Sequence, residues 1–425
     1  MKIINENKIE TFIARLKKRA SLSADEDNIQ KIVRTILADV RKQGDRAVIN
    51  YTEKFDSIKL KRLLVDLEEI DSAAGKVEKQ FLKALSESAR RIKSFHKRQR
   101  EKSWKFTSNG ITTGQIIRPL ERVGAYVPGG KAAYPSTVLM NVIPAQVAGV
   151  REIALCVPTP SGTLNRYVAA AIKLLGVKEV YRIGGAQAIA ALTYGTKTIK
   201  KVDKIVGPGN IFVAVAKKMV FGEVGIDMVA GPSEILIIAD RSANPSFIAS
   251  DLLSQAEHDE MASSVLITNS GKLARDVEAE LKIQLKNLKR RAIAFKSASR
   301  YGAIIITKSL GSAVEIANRI APEHLEIMTK KPSEILPKIK NAGAIFLGQW
   351  TPEPLGDYAA GPNHTLPTSS TARFSSPLGV YDFIKRTSLI SSSKSGFMDL
   401  AGTVETFADV EGLEAHGNTV RVRRI

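Results

Sequence analysis

The segment Ile320–Met328, with the sequence IAPEHLEIM, places an acid and a histidine side by side, Glu323 and His324. Pro322 disfavours continuation of a preceding helix, and the apolar residues that follow predict a short buried strand. The pair would therefore lie at a helix-to-strand junction. A capped turn would look the same. The other interpretation is a general acid/base pair, because histidine is the side chain that most readily exchanges protons near neutral pH.

Polar groups also accompany three further histidines, in the pairs Gln255/His258, Asp357/His364 and Glu411/His416. The first pair lies three residues apart at the end of a predicted helix, so both side chains would project from one face. Imidazole, carboxylate and amide groups together suit zinc or another borderline divalent ion. A surface helix end would show the same spacing, so the pattern alone leaves the metal site open.

Two glycine-rich segments each follow a predicted strand: GGAQA at 184–188 and GPGN at 207–210. Such turns can present backbone N–H groups and a helix N-terminus to a phosphate. Neither has the G-x-G-x-x-G spacing of dinucleotide-binding loops, so ordinary tight turns are equally consistent with these residues. Ser233 begins another predicted strand without the G-x-S-x-G order of a nucleophile, which favours substrate contact over acylation.

The elements that must position these residues follow an alternating pattern. From about residue 150, short apolar runs alternate with amphipathic segments, which predicts parallel sheets covered by helices on both faces. There are too many units for one open sheet, so we predict an α/β fold with two Rossmann-like domains and parallel-rich sheets. A helical N-terminal segment and an extended C-terminal tail complete it. Residues 350–400, rich in Pro, Gly, Ser and Thr, predict a long irregular segment of functional use.

Composition limits the class of protein. The chain has 425 residues, of which 44% are hydrophobic and 25% charged, as in soluble globular proteins. We find no long uncharged apolar run that could span a membrane, and the N-terminus lacks the apolar centre of a secretory signal. The single cysteine, Cys156, excludes an intramolecular disulfide and fits a reducing, cytoplasmic location. It lies in a predicted strand, where we expect a buried thiol.

The formal charge of +20 raises the possibility of nucleic-acid binding. The densest basic cluster, residues 90–105, predicts an exposed helical face with His96 at the surface. No zinc-finger spacing or RNA-binding aromatic signature accompanies it. We therefore expect a solvated face and no nucleic-acid partner, although the sequence offers no reason for the charge.

Taken together, the long motifs of this chain resemble the histidinol dehydrogenase family over nearly its whole length. The motifs are ERVGAYVPGGKAAYPSTVLMNVIPAQVAGV, GGAQAIAALTYGT, KIVGPGNIFVAVAKK, DMVAGPSEILIIAD, LLSQAEHD, IAPEHLEI, GDYAAGPNHTLPT and EGLEAHGNTV. The resemblance implies a zinc-dependent, NAD-linked four-electron oxidation of L-histidinol to L-histidine through L-histidinal, the last steps of histidine biosynthesis. A zinc/NAD dehydrogenase of the same fold acting on another amino alcohol is the alternative.

The resemblance also implies roles for individual residues. The implied zinc ligands are Gln255, His258, Asp357 and His416. The implied substrate contacts are Ser233, Gln255, His258, His324, Asp357, His364, Glu411 and His416. The implied NAD contacts are Tyr126, Gln187 and Asn210. The family pattern further implies a homodimer with exchanged C-terminal tails, which would bring Glu411 and His416 to the partner's site.

The chemistry of the implied oxidation suggests roles for Glu323 and His324. Removing a hydride from an alcohol requires a base for the hydroxyl proton, and His324 suits this role. Hydration of the aldehyde requires an activated water, and Glu323 can supply the base. Aldehyde oxidation through a thiohemiacetal would need an accessible cysteine, whereas Cys156 is expected to be buried. The sequence therefore favours a general-base route.

We predict four structural regions. A helical extension spans residues 1–24, and residues 25–122 with 236–375 form a discontinuous first α/β domain. Residues 123–235 form a second, NAD-contacting α/β domain, and residues 376–425 form the exchanged tail.

Overall fold

The structure is a computed structural model that describes residues 1–20, 26–129, 133–160 and 162–424. These residues form two compact units. The first comprises residues 1–99 and 121–383, and the second comprises residues 100–120 and 384–425.

Strands and helices are numbered along the chain. The strands are β1 (Lys2–Asn5), β2 (Trp104–Ser108), β3 (Ile111–Pro119), β4 (Arg122–Tyr126), β5 (Glu152–Cys156), β6 (Glu179–Tyr181), β7 (Lys204–Val206), β8 (Gly225–Ile226), β9 (Glu234–Ala239), β10 (Ser263–Thr268), β11 (Ala303–Ile306), β12 (His324–Met328), β13 (Ala344–Leu347) and β14 (Ile384–Ser392). The helices are α1 (Ile9–Ala20), α2 (Glu26–Gln43), α3 (Asp45–Asp56), α4 (Leu67–Ala74), α5 (Lys79–Lys97), α6 (Pro135–Ala148), α7 (Arg166–Leu175), α8 (Gly185–Tyr194), α9 (Ile211–Val220), α10 (Pro245–Ala256), α11 (Gly271–Lys286), α12 (Arg291–Arg300), α13 (Leu310–Ile320), α14 (Pro332–Ile335), α15 (Glu353–Leu355), α16 (Lys394–Val410) and α17 (Glu414–Arg421).

A six-stranded parallel sheet, in the order β1-β11-β10-β9-β12-β13, forms one half of the first unit. Every residue of β9, β10 and β12 is buried. Helices α1 and α13 pack on one face and α10 and α11 on the other. Strands covered on both faces need apolar central residues, and these are ILIIA in β9 and VLI in β10.

A five-stranded parallel sheet, in the order β6-β5-β4-β7-β8, forms the other half. After β4 the chain adds β5 and β6 on one side, and then returns to place β7 on the other side. The strand order therefore reverses between β4 and β7, and in open α/β sheets the crevice at the carboxyl end of such a reversal binds ligands. Helices α2, α3, α8 and α9 contribute to the apolar core against this sheet.

The second unit contains an antiparallel sheet in the order β14-β3-β2 and the helices α16 and α17. Several of its large apolar side chains are exposed, and they are Trp104, Phe106, Ile390, Met398, Leu400, Val404, Phe407, Val410, Leu413 and Val422.

The alternation of strands and helices after residue 150 is confirmed, as are the parallel sheets and the two glycine-rich strand-to-helix turns. Cys156 is buried in β5, and burial raises the pKa of its thiol, as expected for an unreactive side chain. None of the described helices is both long and apolar enough to cross a membrane.

Three expectations are wrong in detail. The N-terminal segment is not only helical, because Lys2–Asn5 pairs with β11 at the edge of the six-stranded sheet. Four residues carry too little periodicity to predict a strand, so the pairing partner decides. The segment 350–400 is not irregular throughout, since Ile384–Ser392 is a strand paired with β3.

His96 is the third. It is fully buried rather than at the surface, and its Nδ1 lies 2.7 Å from Oε1 of Gln99. The basic helix α5 also has a buried stripe, Leu85, Ile92 and His96, and His96 lies one turn beyond Ile92 on that stripe.

Candidate active site

A cavity of about 1600 Å³ in the first unit contains most of the predicted site residues. Its lining comes from the amino end of the six-stranded sheet, with Ser233, Glu323 and His324, and from the carboxyl end of the five-stranded sheet, with the loop Pro208–Asn210. The volume exceeds what one amino alcohol needs and is large enough for a cofactor as well.

The junction that carries Glu323 and His324 has the predicted form. Helix α13 ends at Ile320, Ala321 adopts a left-handed conformation with φ of 51°, and β12 begins at His324. Both side chains are buried, and both are held by the backbone of Glu234. Its N–H donates to Oε2 of Glu323 over 2.8 Å, and its carbonyl accepts from Nδ1 of His324 over 2.9 Å.

These hydrogen bonds determine which atoms remain available. Since a carbonyl only accepts, Nδ1 of His324 carries a proton and Nε2 is its free atom. Nε2 lies 3.7 Å from Oδ1 of Asp357 and 3.8 Å from Oε1 of Glu353. Among the described residues it has no hydrogen-bond partner. The reactive face of the imidazole is therefore directed at two carboxylates.

Burial and charge set the protonation of the pair. Burial raises the pKa of Glu323 to about 7, although the attraction of His324 opposes it. For His324, burial acts to lower the pKa, but the carboxylates of Glu323, Asp357 and Glu353 together raise it to about 10. Without a cation at these carboxylates, the imidazole is thus protonated at neutral pH.

Three of the four predicted zinc ligands, Gln255, His258 and Asp357, line this one cavity. Gln255 lies in the last turn of α10 and is 1% exposed, and within the described part of the chain its Oε1 has no hydrogen-bond partner. A buried amide oxygen without a partner is costly, and a cation would satisfy it. Ligand atoms of His324, Glu353 and Asp357 also lie within 4.8 Å of one another. This donor set of carboxylate, imidazole and amide fits zinc.

His364 and Ser233 also line the cavity. Nδ1 of His364 donates to the backbone carbonyl of Asp357 over 3.2 Å. Burial lowers the pKa of His364, so its ring is neutral and Nε2 can accept.

Glu411 and His416 belong to the second unit. Glu411 follows the last residue of α16, His416 lies in α17, and both are exposed. The described residues that line the cavity all belong to the first unit. The cavity of one chain therefore contains three of the four predicted ligands.

The predicted NAD contacts lie at the carboxyl end of the five-stranded sheet. Tyr126 ends β4, and its hydroxyl accepts from the N–H of Gly185 over 3.1 Å. Gln187, in the first turn of α8, is 1% exposed. The side chain of Asn210 caps α9 by accepting from the N–H of Val213 over 3.1 Å. Of the three, Asn210 lines the cavity, while the other two are covered.

Comparison with known proteins identifies the family. A family model described as histidinol dehydrogenase matches residues 19–424. The chain belongs to the histidinol dehydrogenase family.

Individual relatives support the same assignment. The chain is 54% identical to the histidinol dehydrogenase of Aquifex aeolicus, over 94% of this chain and 93% of that one. It is 53% identical to the histidinol dehydrogenase of Geobacter metallireducens, over 93% of this chain and 92% of that one. The crystal structure of histidinol dehydrogenase from Elizabethkingia anophelis is 38% identical, with a TM-score of 0.94, and the match covers 100% of this chain and 98% of that one. The protein is therefore an oxidoreductase.

Sequence reasoning missed several charged residues around this histidinol dehydrogenase site. Glu353 is 2% exposed beside His324 and Asp357, and its N–H donates to Oε1 of Glu326 over 2.8 Å. Arg19 is 3% exposed and pairs with Glu234. The sequence carried one usable signal. Glu326 interrupts the apolar strand HLEIM, where a carboxylate can be buried only with partners.

Proposed function

We propose that the protein oxidises L-histidinol to L-histidine through L-histidinal, using zinc and two molecules of NAD, in the last steps of histidine biosynthesis. The observation that carries the proposal is the buried pair Glu323 and His324 facing Gln255 and Asp357 in a single cavity. That cavity also reaches the glycine loop before α9.

In the first oxidation the hydroxyl proton of the substrate passes to Nε2 of His324 while hydride passes to NAD. Nδ1 is already occupied by the carbonyl of Glu234, so the ring can accept a proton only at its cavity face. In the second oxidation the hydrated aldehyde loses a proton to the same atom and hydride to a second NAD. The sum is L-histidinol, water and two NAD converted to L-histidine, two NADH and three protons.

Hydration of the aldehyde falls to Glu323. Its pKa of about 7 lets the carboxylate accept a proton from water near neutral pH and release it again. The hydrogen bond from the N–H of Glu234 fixes Oε2, which leaves Oε1 for the water.

We assign the zinc to Gln255, His258 and Asp357, with His416 supplied by an exchanged C-terminal tail. Zinc bound there would hold the imidazole and amine of the substrate and offset the negative charge that keeps His324 protonated. The substrate would also meet Ser233, His364 and, from the exchanged tail, Glu411.

We assign NAD to the carboxyl end of the five-stranded sheet, with Asn210, Tyr126 and Gln187 as contacts. Helix α9 begins directly after the GPGN loop, so its first N–H groups are directed into the cavity. The exposed Arg15 also lines the cavity and offers positive charge to an anionic cofactor. Tyr126 and Gln187 would need a local rearrangement to make contact.

We further propose a homodimer with exchanged tails in the cytoplasm. The second unit exposes many apolar side chains, including Phe407 at 64% and Val410 at 83%. Such a surface favours a protein partner. The division of the chain at residues 24, 122, 235 and 375 stays a prediction.

The direct test measures NADH absorbance with purified protein, L-histidinol, NAD and zinc at alkaline pH. The proposal requires two NADH per L-histidinol, with L-histidine as product. Absence of NADH, or a better rate with another amino alcohol in a substrate panel, would overturn it.

Glu323→Gln tests the role assigned to the carboxylate. We expect the rate from L-histidinal to fall by about 100-fold or more, since the base for water is lost. A single-turnover oxidation starting from L-histidinol should suffer less. The matched control is Glu334→Gln, at an exposed glutamate in α14. Equal losses in both half-reactions would contradict a role confined to water.

A further inference from the structure

The backbone of one residue, Glu234, holds both members of the proposed catalytic pair. Its N–H and its carbonyl bond to Glu323 and His324, respectively. Glu234 is the first residue of β9 and His324 the first of β12, and these neighbouring strands pair in parallel with His324 opposite Ile235. A small displacement at the start of β9 would therefore move both side chains together.

The side chain of Glu234 is itself held, and the group that holds it is distant in sequence. Its carboxylate pairs with the guanidinium of Arg19 and also accepts from the N–H of Ser369 over 3.2 Å. Arg19 lies near the end of α1, and its side chain is 0% exposed. Arg19 is among the residues that line the cavity, but its guanidinium is buried there against the carboxylate of Glu234 and two backbone carbonyls.

The same guanidinium reaches two strand beginnings. It donates to the carbonyl of Met261 over 2.7 Å and to the carbonyl of Ser233 over 3.4 Å. Ser233 directly precedes β9, and Met261 lies two residues before β10. The Cζ atom of Arg19 also lies 5.7 Å from the ring centre of Tyr301. Only a planar group with several donors in a fork can make these contacts at once.

We infer that Arg19 is a positioning residue, which fixes Glu234 at the start of β9 and through its backbone orients Glu323 and His324. The inference rests on the proposed function, since it assumes the roles given to that pair. Arg19 touches neither substrate nor cofactor in this scheme.

A purely structural role makes a different prediction. Burying a charge is tolerated only when it is paired, so Arg19 could serve merely to neutralise Glu234 and attach α1. Burial already raises the pKa of Glu234 against the attraction of Arg19. Under that alternative, removing both charges together would restore normal behaviour.

The experiment compares the full-length zinc-loaded enzyme with Arg19→Met, with the double variant Arg19→Met/Glu234→Gln, and with Lys17→Met. Lys17 is an exposed residue of the same helix and serves as the control. For Arg19→Met we expect kcat to fall by about 100-fold, the loss that a misplacement of about 1 Å can cause. The KM for L-histidinol and the zinc content should stay within about threefold of the parent.

The double variant separates the two roles, and it also covers the case in which Arg19→Met does not fold. We expect it to recover the unfolding midpoint of the parent and still to show the reduced kcat. Return of kcat together with stability, or a folded Arg19→Met with parental kcat, would overturn the inference. An inactive parent would instead refute the proposed function, because every comparison is made against the NADH production of the parent.

Discussion

The two parallel sheets of the first unit present opposite ends to the same cavity. The five-stranded sheet contributes its carboxyl end, where α8 and α9 begin. The six-stranded sheet contributes its amino end, where α10 and α13 finish just before His258 and Glu323. A helix that follows a parallel strand runs back along the sheet, so one end of each sheet collects helix N-termini and the other helix C-termini.

This difference sets the charge that each end favours. Helix N-termini carry free N–H groups and a partial positive charge, which suits a phosphate. Helix C-termini carry free carbonyls and a partial negative charge, which suits a cation. Two of the candidate metal ligands, Gln255 and His258, lie at a helix C-terminus, whereas the glycine loop lies at a helix N-terminus. The fold therefore separates the proposed proton and metal chemistry from the proposed cofactor site.

The largest effect should come from the amino end of the six-stranded sheet. Asp357→Asn removes the carboxylate nearest to Nε2 of His324 and a proposed zinc ligand. Loss of a residue that only supports a metal ligand lowers metal affinity or activity by about 10–100-fold. Asp357 is itself a proposed ligand, so we expect a larger loss of activity, about 1000-fold. Zinc content after dialysis and NADH production measure it. Lost activity with full zinc content would mean that Asp357 does not bind the metal.

The pH dependence of stability should also report on that end. The pKa of Glu323 in the folded protein, about 7, lies above its ordinary value of 4.5. Between these values the unfolded chain releases a proton that the folded chain keeps, so the free energy of unfolding falls as pH rises from 4.5 to 7. The largest possible fall in the free energy of unfolding is about 3 kcal/mol. Coupling of Glu323 to His324, Glu234 and Asp357 reduces it.

Glu323→Gln should abolish this fall, because glutamine does not titrate. Urea unfolding of the zinc-free parent and variant at both pH values provides the comparison. A parent whose stability relative to the variant rises toward pH 7 would contradict the sign.

A smaller effect is expected at the carboxyl end of the five-stranded sheet. Gly207 has φ of 104°, and a Cβ there would lie 2.2 Å from the carbonyl oxygen of Tyr126. We expect Gly207→Ala to lower the free energy of unfolding by about 2 kcal/mol and to raise the KM for NAD more than that for L-histidinol.

Gly222→Ala is the matched control. Gly222 has a similar φ of 107°, yet no atom of the described residues lies within 4 Å of the added carbon. It carries the same backbone strain without the clash. Equal KM values for NAD in the two variants would show that the GPGN loop does not bind the cofactor.

The sequence predicted the elements of this site better than their surroundings. Pro322 and the apolar run after it were sufficient to place Glu323 and His324 at a helix-to-strand junction. Local spacing likewise located Gln255 at a helix end. The sequence did not predict short edge strands such as β1, because the conformation of four residues depends on the strand they pair with more than on their own pattern.

Burial of charged groups was the harder problem. Arg19 stands in a basic helix, LKKRA, where local composition suggests an exposed face. It is buried because α1 packs on the six-stranded sheet and the guanidinium pairs with Glu234 at the start of β9. Glu353 also lies beside His324 through tertiary packing, which brings the start of α15 next to the start of β12.

The sequence by itself determined the alternating parallel architecture, the family and the residue types available for metal, proton and phosphate chemistry, because periodicity and motif are local properties of the chain. Only the tertiary structure decided which ends of the two sheets share a cavity, and that the backbone of Glu234 holds Glu323 and His324 while Arg19 holds Glu234. Those contacts join residues more than 80 positions apart, and no local pattern specifies contacts at that separation.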